Sequence, residues 1–135
     1  MVCPVTLTTL NKMLQALQHT TSMQEKPQVL FITVDPERDD TTQLNKYINA
    51  FNKQFIGART TLEKTSILLK QFHVTATKTE QKDKINNHYL MIHSAEILLI
   101  NPDARIQAYF RYPPHPEQMV KDFRAILRQA QREKT

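Results

Sequence analysis

The sequence has very few of the residues that form disulfides and tight turns. Its 135 residues include one cysteine, one glycine and no tryptophan. One cysteine excludes a disulfide within the chain and leaves open a free thiol, a metal ligand or an intermolecular bond. One glycine excludes the glycine-rich loops that hold phosphates, because such loops need several residues at positive φ.

Long apolar runs and concentrated charge are also missing. No run approaches the roughly 18 apolar residues that span a bilayer. No basic segment with an apolar stretch and cleavage site precedes the domain, so we expect any signal or membrane anchor to lie outside this chain. The net charge is +5, but Lys and Arg are spread along the chain without a dense stripe, and we expect no nucleic-acid partner.

The residues that are present predict one globular domain. A chain of this length can bury a single core, and its 40% hydrophobic and 23% charged residues are ordinary globular values. No repeat or linker divides it. We therefore treat residues 1–135 as a single domain.

Apolar spacing in the first half predicts three helices and a strand. A helix with Pro4 in its first turn is indicated by Leu7, Leu10, Leu14 and Leu17. The run Val29–Val34 predicts a strand that is buried on both faces and ends at Asp35-Pro36. Further helices are indicated by Leu44, Tyr47, Ile48 and Phe51, and by a capping-box pattern at Thr60-Thr61-Leu62-Glu63 that opens a helix to about Phe72.

The second half predicts a loop, a hairpin and a last helix. The segment His73–His88 is polar and has no period, which favours a long surface loop. Two apolar runs, 94–100 and 106–110, are joined by Asn101-Pro102-Asp103-Ala104, a sequence typical of a type I turn in a β-hairpin. A helix begins at Pro116, with Val120, Phe123 and Leu127 facing inward.

This order of elements predicts an α/β domain with a mixed sheet flanked by helices. A helix that carries a reactive cysteine at its start normally follows a strand that ends at the same place. We expect that strand before residue 1, so that the domain is incomplete at its N-terminus. Sheet edges left unpaired in this way favour a homodimer or strand exchange.

Several motifs together resemble the Sco/SenC family of thioredoxin-like copper chaperones for cytochrome c oxidase assembly. The resemblance runs from Val2 to about Leu127 and rests on these stretches, in this order: Val2-Cys3-Pro4, Val34-Asp35-Pro36-Glu37-Arg38-Asp39, Phe55-Ile56-Gly57, His93-Ser94-Ala95 and Leu99-Ile100-Asn101-Pro102-Asp103. It implies a thioredoxin-like fold whose first strand is missing here. It also implies a location at the bacterial inner membrane facing the periplasm, or at the mitochondrial inner membrane.

The resemblance also implies a copper site and its partners. In the family a Cys-x-x-x-Cys-Pro loop and a distant histidine bind copper, and Cys3 and His93 match the second cysteine and the histidine. The first cysteine would fall two residues before Met1. With two ligands left, we expect Cu(I) or Cu(II) to bind weakly or not at all unless a third ligand is borrowed. The implied partners are the copper-centre subunit of cytochrome c oxidase and other copper or thiol carriers.

Each candidate residue also has a structural interpretation. A thiol at a helix start has a pKa below the free value of about 8.5, which suits copper binding and disulfide exchange, but a lone Cys3 can also be a small buried apolar residue. His93 is a ligand or a hydrogen-bonded structural residue. Asp35 either lies near the copper loop and contacts the copper ligands without binding the metal itself, or is simply part of a turn. His88 is a spare candidate, and we place His19, His73 and His115 on the surface.

The sequence departs from the family pattern at two positions. Ile92 stands before the histidine where the family usually has Asp, which removes a carboxylate that could orient the imidazole. Ala104 stands in the hairpin turn where Gly is usual.

Three functions remain open at this point. The first is the copper chaperone, which transfers its metal by ligand exchange and needs no enzymatic step. The second is a thiol-disulfide oxidoreductase with Cys3 as the redox thiol, which requires a second cysteine to resolve the mixed disulfide. The third is a divergent relative that binds no metal and uses the scaffold to dock a partner.

Overall fold

Helices and short strands alternate along the chain. The computed structural model describes residues 4–18, 26–37, 40–74, 76–78, 91–93, 96–111 and 113–133. Within them lie α1 (Pro4–Gln18), β1 (Leu30–Ile32), α2 (Thr41–Asn49), β2 (Ile56–Ala58), α3 (Leu62–Gln71), β3 (Ala76–Lys78), β4 (Met91–His93), β5 (Glu96–Ile100), β6 (Ile106–Arg111) and α4 (Pro116–Glu133). The four helices and the hairpin predicted from the sequence are confirmed.

The described strands form three pairs. β1 and β2 are parallel, with α2 as the connection between them, while β3–β4 and β5–β6 are antiparallel. The register of the β5–β6 pair shifts between Leu99 and Ile100 of β5. These residues pair with Ala108 and Ile106 of β6, so β6 has one extra residue at this point. The mixture of parallel and antiparallel strands agrees with the predicted fold class.

The core lies where α1 and α4 pack together. Leu7 and Leu17 of α1 are 1% and 0% exposed, and Val120 and Phe123 of α4 are buried against the same cluster. Leu44 and Ile48 of α2 and Phe55 belong to the same buried cluster. Partly buried side chains in or next to the strands pack on it: Val29, Phe31, Ile97, Leu99 and Phe110. The strands thus turn one face towards these helices.

Side-chain caps set the starts of two helices. Asp40 Oδ1 accepts a hydrogen bond from the Thr42 N–H at 2.9 Å at the start of α2. Thr61 Oγ1 accepts from the Lys64 N–H at 3.2 Å at the start of α3. The cap of α3 is therefore Thr61, and since the third helical residue is Lys64, the reciprocal half of a capping box is not made.

Two predictions from the sequence are wrong. The strand expected over Val29–Val34 to be buried on both faces is shorter, and Leu30 is 54% exposed. The predicted loop His73–His88 contains β3, which pairs with β4 in spite of its polar sequence. β3 forms through backbone pairing with β4, and hydrophobic patterning does not report that pairing.

The single glycine, Gly57, allows α2 to approach β2 closely. A Cβ at Gly57 would lie 2.9 Å from Ile48 Cδ1, 3.1 Å from Leu44 Cγ and 3.2 Å from Asn45 Oδ1. Asn45 uses this proximity: its Oδ1 accepts from the Gly57 N–H at 2.9 Å and its Nδ2 donates to the Gly57 carbonyl at 3.4 Å. The outer edge of β2 is therefore covered by an α2 side chain.

We predict that Gly57→Ala destabilises the protein by about 1 to 3 kcal/mol, because the added methyl group overpacks fully buried Ile48. Urea unfolding followed by circular dichroism measures the change. An unchanged midpoint would show that α2 can move away from β2 without cost.

Two tight turns are made by residues other than glycine. His73 (φ 56°) follows α3, where its N–H donates to the Lys70 carbonyl at 3.2 Å and the Val74 N–H donates to the Leu69 carbonyl at 2.9 Å, a Schellman motif. Ala104 (φ 62°) ends the turn of the hairpin, and its N–H donates to the Asn101 carbonyl at 2.9 Å. Both positions place a Cβ in a left-handed conformation, which costs about 1 to 2 kcal/mol.

We predict that Ala104→Gly stabilises the protein by about 0.5 to 1 kcal/mol, since relief of the left-handed strain outweighs the added entropy of the unfolded chain. The matched control is Ala50→Gly at the end of α2, where φ is −65°. There the same substitution should destabilise by about 0.5 to 1 kcal/mol. Shifts of the same sign in both variants would contradict the strain at Ala104.

Candidate functional site

The candidate site begins at the carboxyl edge of the parallel pair β1–β2. Because the two strands are parallel, the segments that follow them leave the sheet at the same edge. Asp35 follows β1, and Thr61 follows β2 as the cap of α3. Sites in α/β proteins collect at this edge of a sheet.

Asp35 is held in place by the residue two positions before it. The Thr33 N–H donates to the Ala58 carbonyl at 3.1 Å, which ties Thr33 to β2. The Thr33 Oγ1 in turn accepts from the Asp35 N–H at 3.1 Å. Thr33 and Asp35 are 1% and 4% exposed, and Pro36 is fully buried. The turn after β1 is therefore a fixed feature that holds a carboxylate in the interior.

Thr33 was not singled out from the sequence as a functional residue. The signal that could have found it is a threonine two positions before Asp-Pro, because a hydroxyl there can accept from the backbone and form a turn. Its role is to position Asp35.

The structure describes less of Cys3 and His93 than of Asp35. Cys3 and the His93 side chain lie outside the described residues. The helix α1 begins at Pro4, the residue after Cys3, as the sequence predicted. The His93 backbone closes β4 and pairs with Ala76 of β3, while Ile92 pairs with Thr77. The structure therefore places the His93 backbone at a strand end and Asp35 in the turn after β1, and it places Pro4, the residue after Cys3, at the start of α1.

Among the residues that the structure describes, no three His, Cys, Asp or Glu side chains come together as a metal-binding group. Both predicted metal ligands fall outside that search. None of the helices in the described ranges is long and apolar enough to cross a bilayer.

The arrangement is that of the thioredoxin-like class. Structures of copper-bound Sco proteins match it over most of the chain. Arabidopsis thaliana ScoI with copper bound gives a TM-score of 0.81 at 25% identity, covering 94% of this chain and 76% of that one. Bradyrhizobium japonicum ScoI with copper bound gives 0.74 at 28% identity, covering 91% and 74%.

Sequence comparison gives the family. The SCO1/SenC family model matches residues 1–128, and the chain belongs to that family. A mitochondrial SCO2 homologue from Mus musculus is 30% identical over 128 residues, which is 91% of this chain and 47% of the relative. The chain spans about half the length of the curated relatives it matches. The resemblance found in the motifs is thereby confirmed.

We predict that Thr33→Val lowers the free energy of unfolding by about 1 to 3 kcal/mol, because the Asp35 N–H loses its acceptor in a buried place. Thr33→Ser keeps the hydroxyl and should recover most of the loss. Urea unfolding of the two variants beside the parent measures this. Equal stability of Thr33→Val and Thr33→Ser would contradict a role for the hydroxyl.

Proposed function

We propose that this chain is the copper-binding domain of a metallochaperone that delivers copper to the copper centre of cytochrome c oxidase. Membership of the SCO1/SenC family carries the proposal, and the likeness to two Sco structures with copper bound supports it. By the same reasoning the protein acts at the mitochondrial inner membrane or at the bacterial inner membrane facing the periplasm, held by an anchor outside these residues.

Cys3 is the proposed thiolate ligand. The first turn of α1 contains no acidic residue, whereas α3 and α4 carry Glu63 and Glu117 in theirs. The positive end of the α1 dipole is therefore not opposed by a carboxylate in that turn, and it favours a negative charge on a group just before Pro4. A thiolate is the form that binds Cu(I) and that exchanges ligands with a partner.

His93 is the proposed second ligand. Imidazole binds either oxidation state of copper, and together with thiolate it gives a site of suitable softness. These two residues supply two ligands, so the tight complex needs one more donor, from another protein or another part of the polypeptide. Copper bound in this way can pass to a partner by stepwise exchange of thiolates, in which no covalent bond of the protein is made or broken.

Asp35 is the proposed positioning residue. Its backbone is fixed through Thr33 at the carboxyl edge of β1–β2, where a buried carboxylate can orient or charge-balance groups of the copper loop. This role gains weight because Ile92 has replaced the carboxylate that usually precedes the histidine.

We predict that, with a small thiol supplied as the third donor, Cys3→Ser abolishes Cu(I) binding by this chain and His93→Ala weakens it by more than about tenfold, because each change removes a ligand. Titration against a coloured Cu(I) chelator measures both. The matched control is His115→Ala, an exposed histidine just before α4, which should leave the affinity unchanged.

The same variants separate the proposed function from its rivals. If His93→Ala binds copper as tightly as the parent, the chaperone assignment fails. A thiol-disulfide oxidoreductase needs Cys3 but not His93 as a metal ligand, so its thiol-exchange rate with a small disulfide should survive His93→Ala. A docking module without metal would show no Cu(I) competition in the parent chain even when a small thiol is supplied as the third donor.

A further inference from the structure

Tyr109 stands on the face of the β5–β6 hairpin that is turned away from the core. It lies in β6, where its pairing partner in β5 is Leu98. Its neighbours Ala108 and Phe110 are partly buried, and Phe110 packs on the core. Because side chains alternate along a strand, the Tyr109 ring projects from the opposite face, where it is 41% exposed. The hairpin thus presents a phenol hydroxyl to a neighbour outside the core.

That neighbour is the end of α3. The Tyr109 hydroxyl donates to the carbonyl of Phe72, the residue that caps the end of α3, at 3.3 Å. The last carbonyls of a helix have no partner within the helix. The Schellman motif supplies N–H donors to two of them, and Tyr109 supplies the donor for Phe72. The hydroxyl thereby joins two elements whose residues lie 37 positions apart in the sequence.

The chain that leaves α3 at this point leads to His93. Ala76, four positions after Phe72, begins β3. In the antiparallel β3–β4 pair the register partner of Ala76 is His93, the last residue of β4. The backbone of His93 is therefore carried on one side by the strand that continues from the end of α3.

The other side of His93 leads back to Tyr109. β5 begins at Glu96, three positions after His93. Glu96 pairs with Arg111 of β6, and Arg111 is two positions from Tyr109. The Tyr109 hydrogen bond therefore closes a loop of contacts that runs from the end of α3 through the β3–β4 pair to the hairpin and back to α3. Removing this bond opens the loop at one point.

We propose that Tyr109 is a positioning residue for His93. Its hydrogen bond to Phe72 holds the end of α3 against the hairpin, and the β3–β4 pair that carries His93 is thereby held between the two. The inference rests on the proposed function, in which His93 is a copper ligand, and it says how that ligand is kept in place.

A ligand that is held before the metal arrives loses less conformational freedom on binding, so its site has a higher affinity. The effect matters in this chain because Ile92, the residue before His93, has no carboxylate with which to orient the imidazole. The placement of His93 then depends more on the backbone that carries it.

Tyr109→Phe tests the inference, because it keeps the ring and removes the hydroxyl alone. Cu(I) affinity is measured by competition with a coloured chelator, with a small thiol supplied as the third donor. We expect the affinity to fall by about three- to tenfold, which is the range that the loss of one hydrogen bond can produce. Amide hydrogen exchange of residues 76–78 and 91–93, measured without copper, should become faster by about the same factor.

The matched control is Thr65→Val, which also removes one hydroxyl that donates to a carbonyl of α3. Thr65 Oγ1 donates to the Thr61 carbonyl at 2.8 Å, at the start of the helix. If hydroxyl bonds to α3 acted only by stabilising the helix, the two variants would behave alike. We expect Thr65→Val to leave both the copper affinity and the exchange of the β3–β4 pair unchanged.

A double-mutant cycle separates the positioning of His93 from a general effect on the domain. In a His93→Ala background, Tyr109→Phe should leave the remaining Cu(I) affinity unchanged, because the ligand that it positions is gone. An equal loss of affinity in both backgrounds would overturn the inference. So would equal effects of Tyr109→Phe and Thr65→Val, or a change in Tyr109→Phe of only one of the two measured quantities, or of neither.

Failure of the inference is distinguishable from failure of the proposed function. If His93→Ala binds copper as tightly as the parent, the proposed function fails, and the role of Tyr109 fails with it. If His93→Ala weakens binding and Tyr109→Phe does not, the role of Tyr109 alone fails.

Discussion

The close approach of α2 to β2 at Gly57 is the contact on which the edge of the candidate site depends. α2 connects two parallel strands, and it can lie directly on the second strand because no Cβ stands between Gly57 and the buried side chains of Ile48 and Leu44. The approach also brings Asn45 within reach of both backbone groups of Gly57. With β2 held in this way, the Thr33 N–H has a fixed acceptor at Ala58, and Asp35 is fixed through Thr33.

Because its one glycine is used in the contact between α2 and β2, the chain makes its left-handed turns with other residues. The glycine is used where space is lacking, at φ values that other residues also adopt, while two positions at positive φ carry His73 and Ala104. Each of those two turns is stabilised by backbone hydrogen bonds, and that of His73 also by the Schellman geometry at the end of α3. The strain is local, because in neither case does a core side chain lie at the strained residue.

The parts of the fold that the sequence predicted are those whose signal is local. The four helices have apolar residues at helical spacing, and the β5–β6 hairpin has two apolar runs joined by an Asn-Pro-Asp turn. β3 was missed because its polar residues form a strand only through pairing with β4, fifteen or so positions away, and no local pattern reports such pairing. The exposure of Leu30 was missed for a similar reason: a run such as Val29–Val34 predicts burial on both faces, but tertiary packing decides which of its side chains are covered.

The residues of the candidate site also differ in whether a local sequence signal or a tertiary contact identifies them. Asp35 could be named from Asp-Pro after an apolar run, and Cys3 and His93 from motifs, but the part played by Thr33 required the hydrogen bond to Asp35. Patterns in the sequence identify residues with suitable chemistry. Which backbone groups hold them in position follows only from tertiary contacts.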